Sequence, residues 1–513
     1  MLSCSATGSF LVTTTIPSRL QATLFSLSRG FNSSTYQGDE AKTAGNDMEV
    51  GNARMLDWEF KTAKRFQALA ESAGKSIDIA YASIVHQLGI TKRFFQEGGF
   101  GDLNVVNFHE DLSSFDSWPP KHWQDIKIDW RRSRGSSFGG LGLVRPHKSD
   151  EMYSILRGSF TTPCTGTAYS ALPFESRLAH AGLILPKNPA PGRPVVLHLA
   201  ATGDHGFGRR EALAIPLAMK GIGSVILESP FYGMRKPKGQ SGAKLRFVSD
   251  LLLLGRATIE ESLFLLNWLS DQGHTKLGIS GLSMGGVHSC MVAGLFPQEL
   301  ALTPLLAPRS AAAAYCNGAL FHATGWKKLT DDVQQREDEL RAVIRKAARP
   351  SLKVGAAREI PLRVAYQEGR EESNGNQAYR DHAENKEKKQ IKDTVEWLSS
   401  WSESFSRQMR ILVESDAAHG NEVAFRRSIW LLEAVLETYT DITRFPKPKR
   451  PDAAIIVAAT EDGYVDRESV MEMHQHLTGS ELRWVAGGHV SSFVMHQDHF
   501  RRAIQDSILT RLA

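Results

Sequence analysis

Apolar runs of strand length alternate with longer amphipathic stretches through most of the chain. The runs are rich in Val, Ile and Leu, and the stretches between them repeat their apolar residues at helical spacing. This alternation is typical of a mostly parallel sheet with crossover helices, so the sequence predicts an α/β fold. The predicted strands are 195–199, 223–227, 276–280, 301–306, 451–459 and 481–486, with two more near residue 160 and at 181–186, and the predicted core helices are 210–220, 248–269 and 286–295.

One long interruption separates the last two predicted strands from the others. It contains helical patterns with apolar faces on both sides of a segment that is too polar to pack against a core. The stripe around Trp430 is typical of core, whereas residues 397–405 fit a lid and a core equally well. The predicted organisation is a helical and mixed extension at 57–186, a core at 187–310 and 447–513, and a helical lid insertion at 311–446 with a polar loop at 368–392.

A glycine-rich turn at residues 281–285 is the most informative motif. It reads Gly-Leu-Ser-Met-Gly and matches the pattern G-x-S-x-G. In this motif a strand turns sharply into a helix, and the central serine projects its hydroxyl from a strained tip. An apolar run precedes the turn and small apolar residues follow it, which supplies the strand and helix that the motif requires. The sequence therefore predicts Ser283 as a nucleophile.

A serine nucleophile needs a base, and the base needs an acid that orients it. The predicted strand 451–459 runs into Asp462 and Asp466, and the last strand runs into two glycines and His489. This is the chain order Ser, Asp, His that α/β-hydrolases use. Asp462 lies in the turn beside a glycine and is the predicted acid. Asp466 fits the N-cap of the next helix better and remains an alternative acid, as does Glu461, while His489 is the predicted base.

An oxyanion hole would complete such a site. One donor is the backbone N–H of the residue after the nucleophile, here Met284, and the other comes from the loop after the third strand. That loop follows the strand 195–199 and reads Ala-Ala-Thr-Gly-Asp-His-Gly. We predict the second donor at Thr202, with Ala201 as the alternative. The loop lacks the phosphate-binding pattern G-x-x-x-x-G-K-[ST], so a nucleotide site is not predicted.

Several cations follow the same predicted strand ends. Because parallel strands end at one edge of a sheet, these side chains are expected to surround the mouth of the serine site. Arginine can grip a phosphate with two parallel hydrogen bonds, and lysine acts as a point charge at an anionic surface. Ordinary solvated surface charge is the alternative interpretation. The predicted substrate-binding residues are Arg209, Arg210, Arg235 and Lys236, with Lys238 as a further cation.

Composition narrows the class of protein only modestly. The chain has 513 residues, 42% of them hydrophobic, which is enough to bury a large core. Its formal charge of +5 gives no case for nucleic-acid binding. No metal-ligand pattern is present, and no cofactor is predicted. The four cysteines are widely spaced, as expected for a reduced protein. The helix predicted at 248–269 is interrupted by charge, so any membrane contact is expected to be peripheral.

The amino terminus has the character of a targeting sequence. Residues 1–38 contain Arg19 and Arg29, many serines and threonines and no acidic residue, and a polar linker follows at 39–56. This composition resembles a mitochondrial transit peptide. A secretory signal fits less well, because no basic cluster precedes an apolar core. We therefore expect a mitochondrial protein.

Taken with these motifs, the chain resembles a known family, the α/β-hydrolase domain-containing protein eighteen family. The resemblance covers most of the chain. Two departures are visible: Gly206-Phe207-Gly208 replaces a bulkier aromatic segment, and a polar insertion occupies 368–392. The segments that carry the resemblance are 89–95, which is similar to the family's N-terminal helix, then 157–163, 173–177, 198–205, 228–237, the elbow, and 487–491.

The resemblance implies a mitochondrial serine hydrolase that acts on phospholipid acyl esters, with cardiolipin as the suggested substrate. A lipid or small ester is thus the expected partner. Two alternatives stay open. The chain could be a noncatalytic scaffold that keeps the fold, or an enzyme that uses the same residues for thioester hydrolysis or acyl transfer.

Overall fold

A computed structural model of the chain describes residues 74–75, 78–79, 92–106, 118–133, 152–347, 400, 411 and 421–512. Within these residues nine strands form one sheet. The strands are β1 (Asp129–Arg132), β2 (Tyr153–Thr161), β3 (Leu178–Pro186), β4 (Val195–Leu199), β5 (Gly223–Leu227), β6 (Leu277–Leu282), β7 (Ala301–Leu305), β8 (Ile455–Ala459) and β9 (Glu481–Val485).

The sheet is parallel from β5 to β9 and antiparallel at its other end. The spatial order is β1-β2-β3-β5-β4-β6-β7-β8-β9. Strands β1, β2 and β3 pair antiparallel with their neighbours, and the later pairs are parallel. This is the mostly parallel sheet that the sequence predicts. Because the parallel strands share one direction, the loops after β4, β5, β6, β8 and β9 leave the same edge.

Helices cover the sheet and connect its strands. The longest helix in the described part of the chain, Val248–Asp271, is almost entirely buried because apolar residues, leucines above all, occupy much of its surface. That burial explains why an apolar helix of this length belongs to the core of the protein. The helices are α1 (Gly166–Ala171), α2 (Gly208–Ala218), α3 (Val248–Asp271), α4 (Met284–Leu295), α5 (Trp326–Ala347), α6 (Glu422–Thr440), α7 (Arg467–His476), α8 (His489–Met495) and α9 (Gln497–Asp506).

Within the described residues, two helices of the insertion, α5 and α6, contribute to the core cluster. Leu431 and Leu432 on α6 are fully buried, which confirms the core interpretation of the stripe around Trp430. The side chain of Trp430 itself is partly exposed and lies under the guanidinium of Arg341. The predicted polar loop 368–392 and the aromatic stretch 397–405 lie outside the described residues. The lid role of the insertion therefore stays a prediction.

The N-terminal extension differs from the expected helix at its described end. Phe94 forms an isolated bridge with Thr324 and residues 95–100 form turns, so the helical expectation for 89–95 is wrong for the residues described. The reason is tertiary pairing. The N–H of Phe94 donates to the carbonyl of Ala323, and that of Phe95 donates to the carbonyl of Leu245, at 2.8 Å each. Both phenylalanines are buried, so this segment ties the insertion to the core.

The described residues also bear on the cysteine and membrane expectations. Cys164, Cys290 and Cys316 are buried free thiols, whereas Cys4 lies outside the described residues. No described helix is both long and apolar enough to cross a bilayer.

Candidate active site

Ser283 sits at a sharp, strained turn between β6 and α4. Its backbone has φ 53° and ψ −115°, a left-handed conformation that non-glycine residues seldom adopt. The flanking glycines make the turn sterically feasible, because a Cβ on Gly281 would lie 2.1 Å from the carbonyl oxygen of Gly285. The N–H of Ser283 donates to the carbonyl of Leu305 at 2.8 Å and anchors the turn on β7. The serine therefore has the backbone of a nucleophile elbow.

The predicted acid and base are hydrogen-bonded to each other. Nδ1 of His489 lies 2.8 Å from Oδ2 of Asp462. The other carboxylate oxygen, Oδ1, accepts from the N–H groups of Tyr464 at 2.8 Å and Val465 at 3.0 Å. An ionised carboxylate only accepts, so Nδ1 carries the proton and donates it. Nε2 of the neutral ring then has a lone pair that can take a proton.

The surroundings of His489 favour its protonation. Burial disfavours the charged imidazolium, but the Asp462 carboxylate, with its hydrogen bond, and the charge of Asp78 outweigh burial and raise the pKa of His489. The ring of Tyr464 packs against the imidazole with centroids 4.8 Å apart. The imidazole of His489 thus contacts both a carboxylate and an aromatic ring.

Asp466 has a different local role. Its Oδ1 accepts from the N–H of Ser469 at 2.7 Å, at the N-cap of α7. The N-cap interpretation of Asp466 is therefore confirmed. Of the two candidate acids, Asp462 is the one that the structure places against His489.

The loop after β4 lies against the elbow. A Cβ on Gly285 would come within 2.7 Å of the Leu199 carbonyl oxygen and 2.8 Å of that of Ala200. This contact places the loop that carries Ala201 and Thr202 beside the backbone that carries Met284. This is the loop from which the second oxyanion donor was predicted. The choice between Thr202 and Ala201 stays a prediction.

Two of the predicted substrate-binding arginines are buried in ion pairs, so their assignment is wrong. Arg235 is 0% exposed, and its guanidinium donates to both oxygens of Glu261, at 2.6 and 2.8 Å. Arg210 is also buried; its Nε lies 3.0 Å from Oδ2 of Asp204, and its terminal nitrogens donate to backbone carbonyls. These guanidinium groups hold the loops after β4 and β5 in shape and do not face a substrate.

The remaining predicted cations are accessible. Arg209 and Lys238 are exposed, and Lys236 is half-buried. The loops that carry them are joined, because the N–H of Gly233 donates to Nδ1 of His205 at 2.9 Å. Three cations therefore stay candidates for contact with an anionic ligand. No cluster of acidic, histidine or cysteine side chains suited to a metal ion is found in the described part of the chain.

Sequence reasoning missed one residue of this neighbourhood, Asp78 of the N-terminal extension. Its side chain is 0% exposed, and it accepts hydrogen bonds from the backbone of Gly463, His489 and Val490. A single acid within Ile-Asp-Ile-Ala carries no motif, and the two loops that it contacts lie far along the chain. No local signal could have placed it at the site.

Known structures with an overall likeness include several esterases. Acetyl xylan esterase from Paenibacillus sp. R4 is 10% identical, with a TM-score of 0.39 over 80% of this chain and 97% of that chain. Acetyl xylan esterase 1 from Thermoanaerobacterium sp. JW/SL YS485 is 13% identical, with a TM-score of 0.38 over 80% and 96%. A bacterial membrane phospholipase A is 14% identical, with a TM-score of 0.32 over 65% and 84%.

A family model provides the decisive comparison. The model described as alpha/beta hydrolase domain containing 18 matches residues 93–510, which span the sheet, the elbow, the insertion and both loops of the acid and base. The match agrees with the sheet order and with the strained serine turn. The chain belongs to the alpha/beta hydrolase domain containing 18 family.

Proposed function

We propose that the protein is a serine hydrolase that cleaves carboxylic esters through an acyl-enzyme intermediate. The observation that carries this proposal is the Asp462–His489 hydrogen bond at the sheet edge from which the strained Ser283 also emerges. An imidazole with its Nδ1 proton fixed by a carboxylate is the arrangement that activates a serine hydroxyl. Membership of the alpha/beta hydrolase domain containing 18 family supports a hydrolase activity in general.

The reaction follows from these positions. Oγ of Ser283 attacks the acyl carbonyl while Nε2 of His489 takes the hydroxyl proton, and Asp462 stabilises the resulting imidazolium. The backbone N–H groups of Met284 and Thr202 receive the negative charge that develops on the carbonyl oxygen. The alcohol leaves with the proton from His489. Water then attacks the acyl-enzyme, again with His489 as base, and releases the carboxylic acid.

Hydrolysis of p-nitrophenyl esters by the purified chain tests this proposal. We expect turnover that decreases as the pH falls through the pKa of His489, because the protonated ring cannot accept the serine proton. No hydrolysis of any p-nitrophenyl ester at neutral or alkaline pH would contradict the proposal and favour the noncatalytic scaffold. Faster reaction with thioesters would indicate a thioesterase, and acyl transfer to an added alcohol would indicate an acyltransferase. Either result would leave the catalytic roles of the same residues unchanged.

We further propose a phospholipid acyl ester as the substrate class, with cardiolipin as the lipid that the family resemblance suggests. The loops after β4 and β5 support a phospholipid substrate, because they carry accessible cations. Exposed apolar side chains lie on the loop after β5 and on the turn bonded to it. Phe174 is 82% exposed and Met234 is 60% exposed. The turn that carries Phe174 is fixed to the loop after β5, because Oγ of Ser176 donates to the carbonyl of Arg235 at 2.8 Å. Exposed apolar side chains on the loop that also carries Lys236, and on the turn bonded to it, fit the surface of an anionic bilayer.

Removing the positive charges of Arg209 and Lys236 should weaken the preference of the protein for anionic lipid. Each basic residue near an anionic membrane contributes about 1 kcal/mol, so Arg209→Gln/Lys236→Gln should lower binding to phosphatidylglycerol vesicles roughly 30-fold. Vesicle flotation and fatty-acid release measure the effect. Added salt should weaken the wild-type preference in the same direction, because it screens exposed charges.

The matched control is Lys187→Gln/Lys220→Gln. It removes the same charge from the opposite edge of the sheet, where β3 ends and β5 begins. We expect this control to keep the wild-type preference. Equal rates on phosphatidylcholine and phosphatidylglycerol vesicles, unchanged by salt, would contradict the proposed anionic substrate and leave a general esterase.

Location in mitochondria is proposed from residues 1–38 alone, which lie outside the described residues. Residues 1–40 fused to a fluorescent reporter should direct it to mitochondria. Replacing Arg19 and Arg29 with glutamate should leave the reporter in the cytosol, because transit peptides are basic and poor in acids. Confocal imaging with a mitochondrial marker is the measurement. A cytosolic unmutated fusion would contradict the proposal.

A further inference from the structure

A buried carboxylate from the N-terminal extension joins the two loops that carry the acid and the base. Oδ2 of Asp78 accepts from the N–H of Gly463 at 3.0 Å and from that of His489 at 2.6 Å. Oδ1 accepts from the N–H of Val490 at 3.1 Å. Gly463 follows Asp462 directly in the chain. One side chain thus holds the backbone beside Asp462 and the backbone of His489 at the same time.

The backbone around Asp78 packs directly on the same loops. A Cβ on Gly74 would lie 2.0 Å from the backbone nitrogen of Gly488, and one on Gly488 would lie 2.5 Å from the carbonyl oxygen of Gly74. A Cβ on Gly463 would lie 2.8 Å from Cβ of Asp78. Such approaches require glycine at all three positions. The extension therefore reaches the loops by close backbone contact and not through long surface side chains.

We propose that Asp78 is a positioning residue of the hydrolase: its carboxylate fixes the loops after β8 and β9 so that Asp462 and His489 keep their hydrogen-bonded geometry. This inference rests on the proposed function. Asp78 does not replace Asp462, because its oxygens bind backbone N–H groups and Asp462 holds Nδ1 of His489. The N-terminal extension thereby completes an active site whose reacting side chains all come from the core.

The charge of Asp78 also acts on the base. The titratable groups that face Asp78 are Asp462 and His489, and the ring of Tyr464 packs against the imidazole. Burial, with the neighbouring Asp462 charge, raises the pKa of Asp78 to about 6. At neutral pH the group is therefore ionised and stabilises the imidazolium that forms during catalysis. Removing this negative charge should lower the pKa of His489.

The Asp78→Asn variant tests the proposal, because asparagine keeps the side-chain volume and removes both the charge and one acceptor. We expect kcat for a p-nitrophenyl ester to fall by about 10²-fold with little change in KM, as small misplacements of catalytic groups cause. The acid limb of kcat/KM should move to lower pH by roughly one unit. A role in folding alone would not move this pH profile.

The matched control is Asp250→Asn. Asp250 also accepts two backbone N–H groups, from Arg246 and Phe247, and burial raises its pKa to about 6, but it lies at the start of α3. We expect the wild-type pH profile for this control. A second variant, Asp78→Ala, leaves a cavity that formate can enter, and added formate should restore part of its activity.

The outcomes separate this inference from the proposed function. An inactive wild-type chain would contradict the function itself. With an active wild type, a folded Asp78→Asn chain that keeps the wild-type kcat and acid limb would overturn the positioning role. A folded Asp78→Ala chain with full activity and no response to formate would overturn it as well. Thermal unfolding of each variant establishes that it is folded at the assay temperature.

Discussion

Replacing Ser283 with alanine should lower the turnover of a p-nitrophenyl ester by on the order of 10⁶-fold, because loss of the nucleophile removes the whole acyl-enzyme route. The fold should survive, since alanine lacks only the hydroxyl and the backbone of the turn stays anchored by its hydrogen bond to Leu305. Steady-state kinetics with thermal unfolding as the check on folding measure the effect.

Ser289→Ala is the control for this variant. Ser289 is a buried serine on α4, and its hydroxyl donates to the carbonyl of Gly286. Loss of this local bond should leave turnover within a few-fold of wild type, since a neutral hydrogen bond contributes about 1 kcal/mol to stability and none is made to the reacting groups. Comparable activity of wild type and Ser283→Ala would show that the elbow serine is not the nucleophile.

Asp462→Asn should lower turnover by on the order of 10⁴-fold. The asparagine amide can donate to Nδ1 of His489, which favours the tautomer that carries its proton on Nε2. That tautomer cannot accept the proton of the serine. The kcat of the folded variant at the pH optimum is the measurement.

Asp466→Asn provides the matched comparison. Asparagine caps helices about as well as aspartate, so the N-cap of α7 should persist and turnover should stay near that of wild type. If Asp466→Asn were far more damaging than Asp462→Asn, the role of the orienting acid would pass to Asp466.

Features that depend on local sequence were predictable. The strands from β4 to β8 are short, mostly apolar runs, and β9 alternates polar with apolar residues. Their existence and their parallel arrangement therefore followed from periodicity and from the helices between them. The G-x-S-x-G motif specified the strained turn at Ser283 because its glycines are needed at those positions. The turn after β8 contains two aspartates, Asp462 and Asp466. Because a helix begins directly after Asp466, the sequence identified Asp466 as the capping residue and Asp462 as the acid.

Features that depend on distant partners were not predictable. Arg235 follows a strand as a mouth residue would, yet Glu261 on α3 pairs with it in the interior. Arg210 likewise meets Asp204 within the folded loop. Asp78 belongs to no recognisable motif. It reaches its position only when the N-terminal extension packs on the loops after β8 and β9, which lie nearly four hundred residues further along the chain. Pairings of this kind are properties of the tertiary structure.

Ser283 is proposed as a nucleophile that His489 activates. The most direct test is to treat the purified wild-type chain with a fluorophosphonate and to locate the modified residue by mass spectrometry of its peptides. Activation by His489 predicts one modified residue, Ser283, at a rate that decreases as the imidazole becomes protonated. Modification of a different serine, or no modification of a folded chain, would show that Ser283 is not an activated nucleophile.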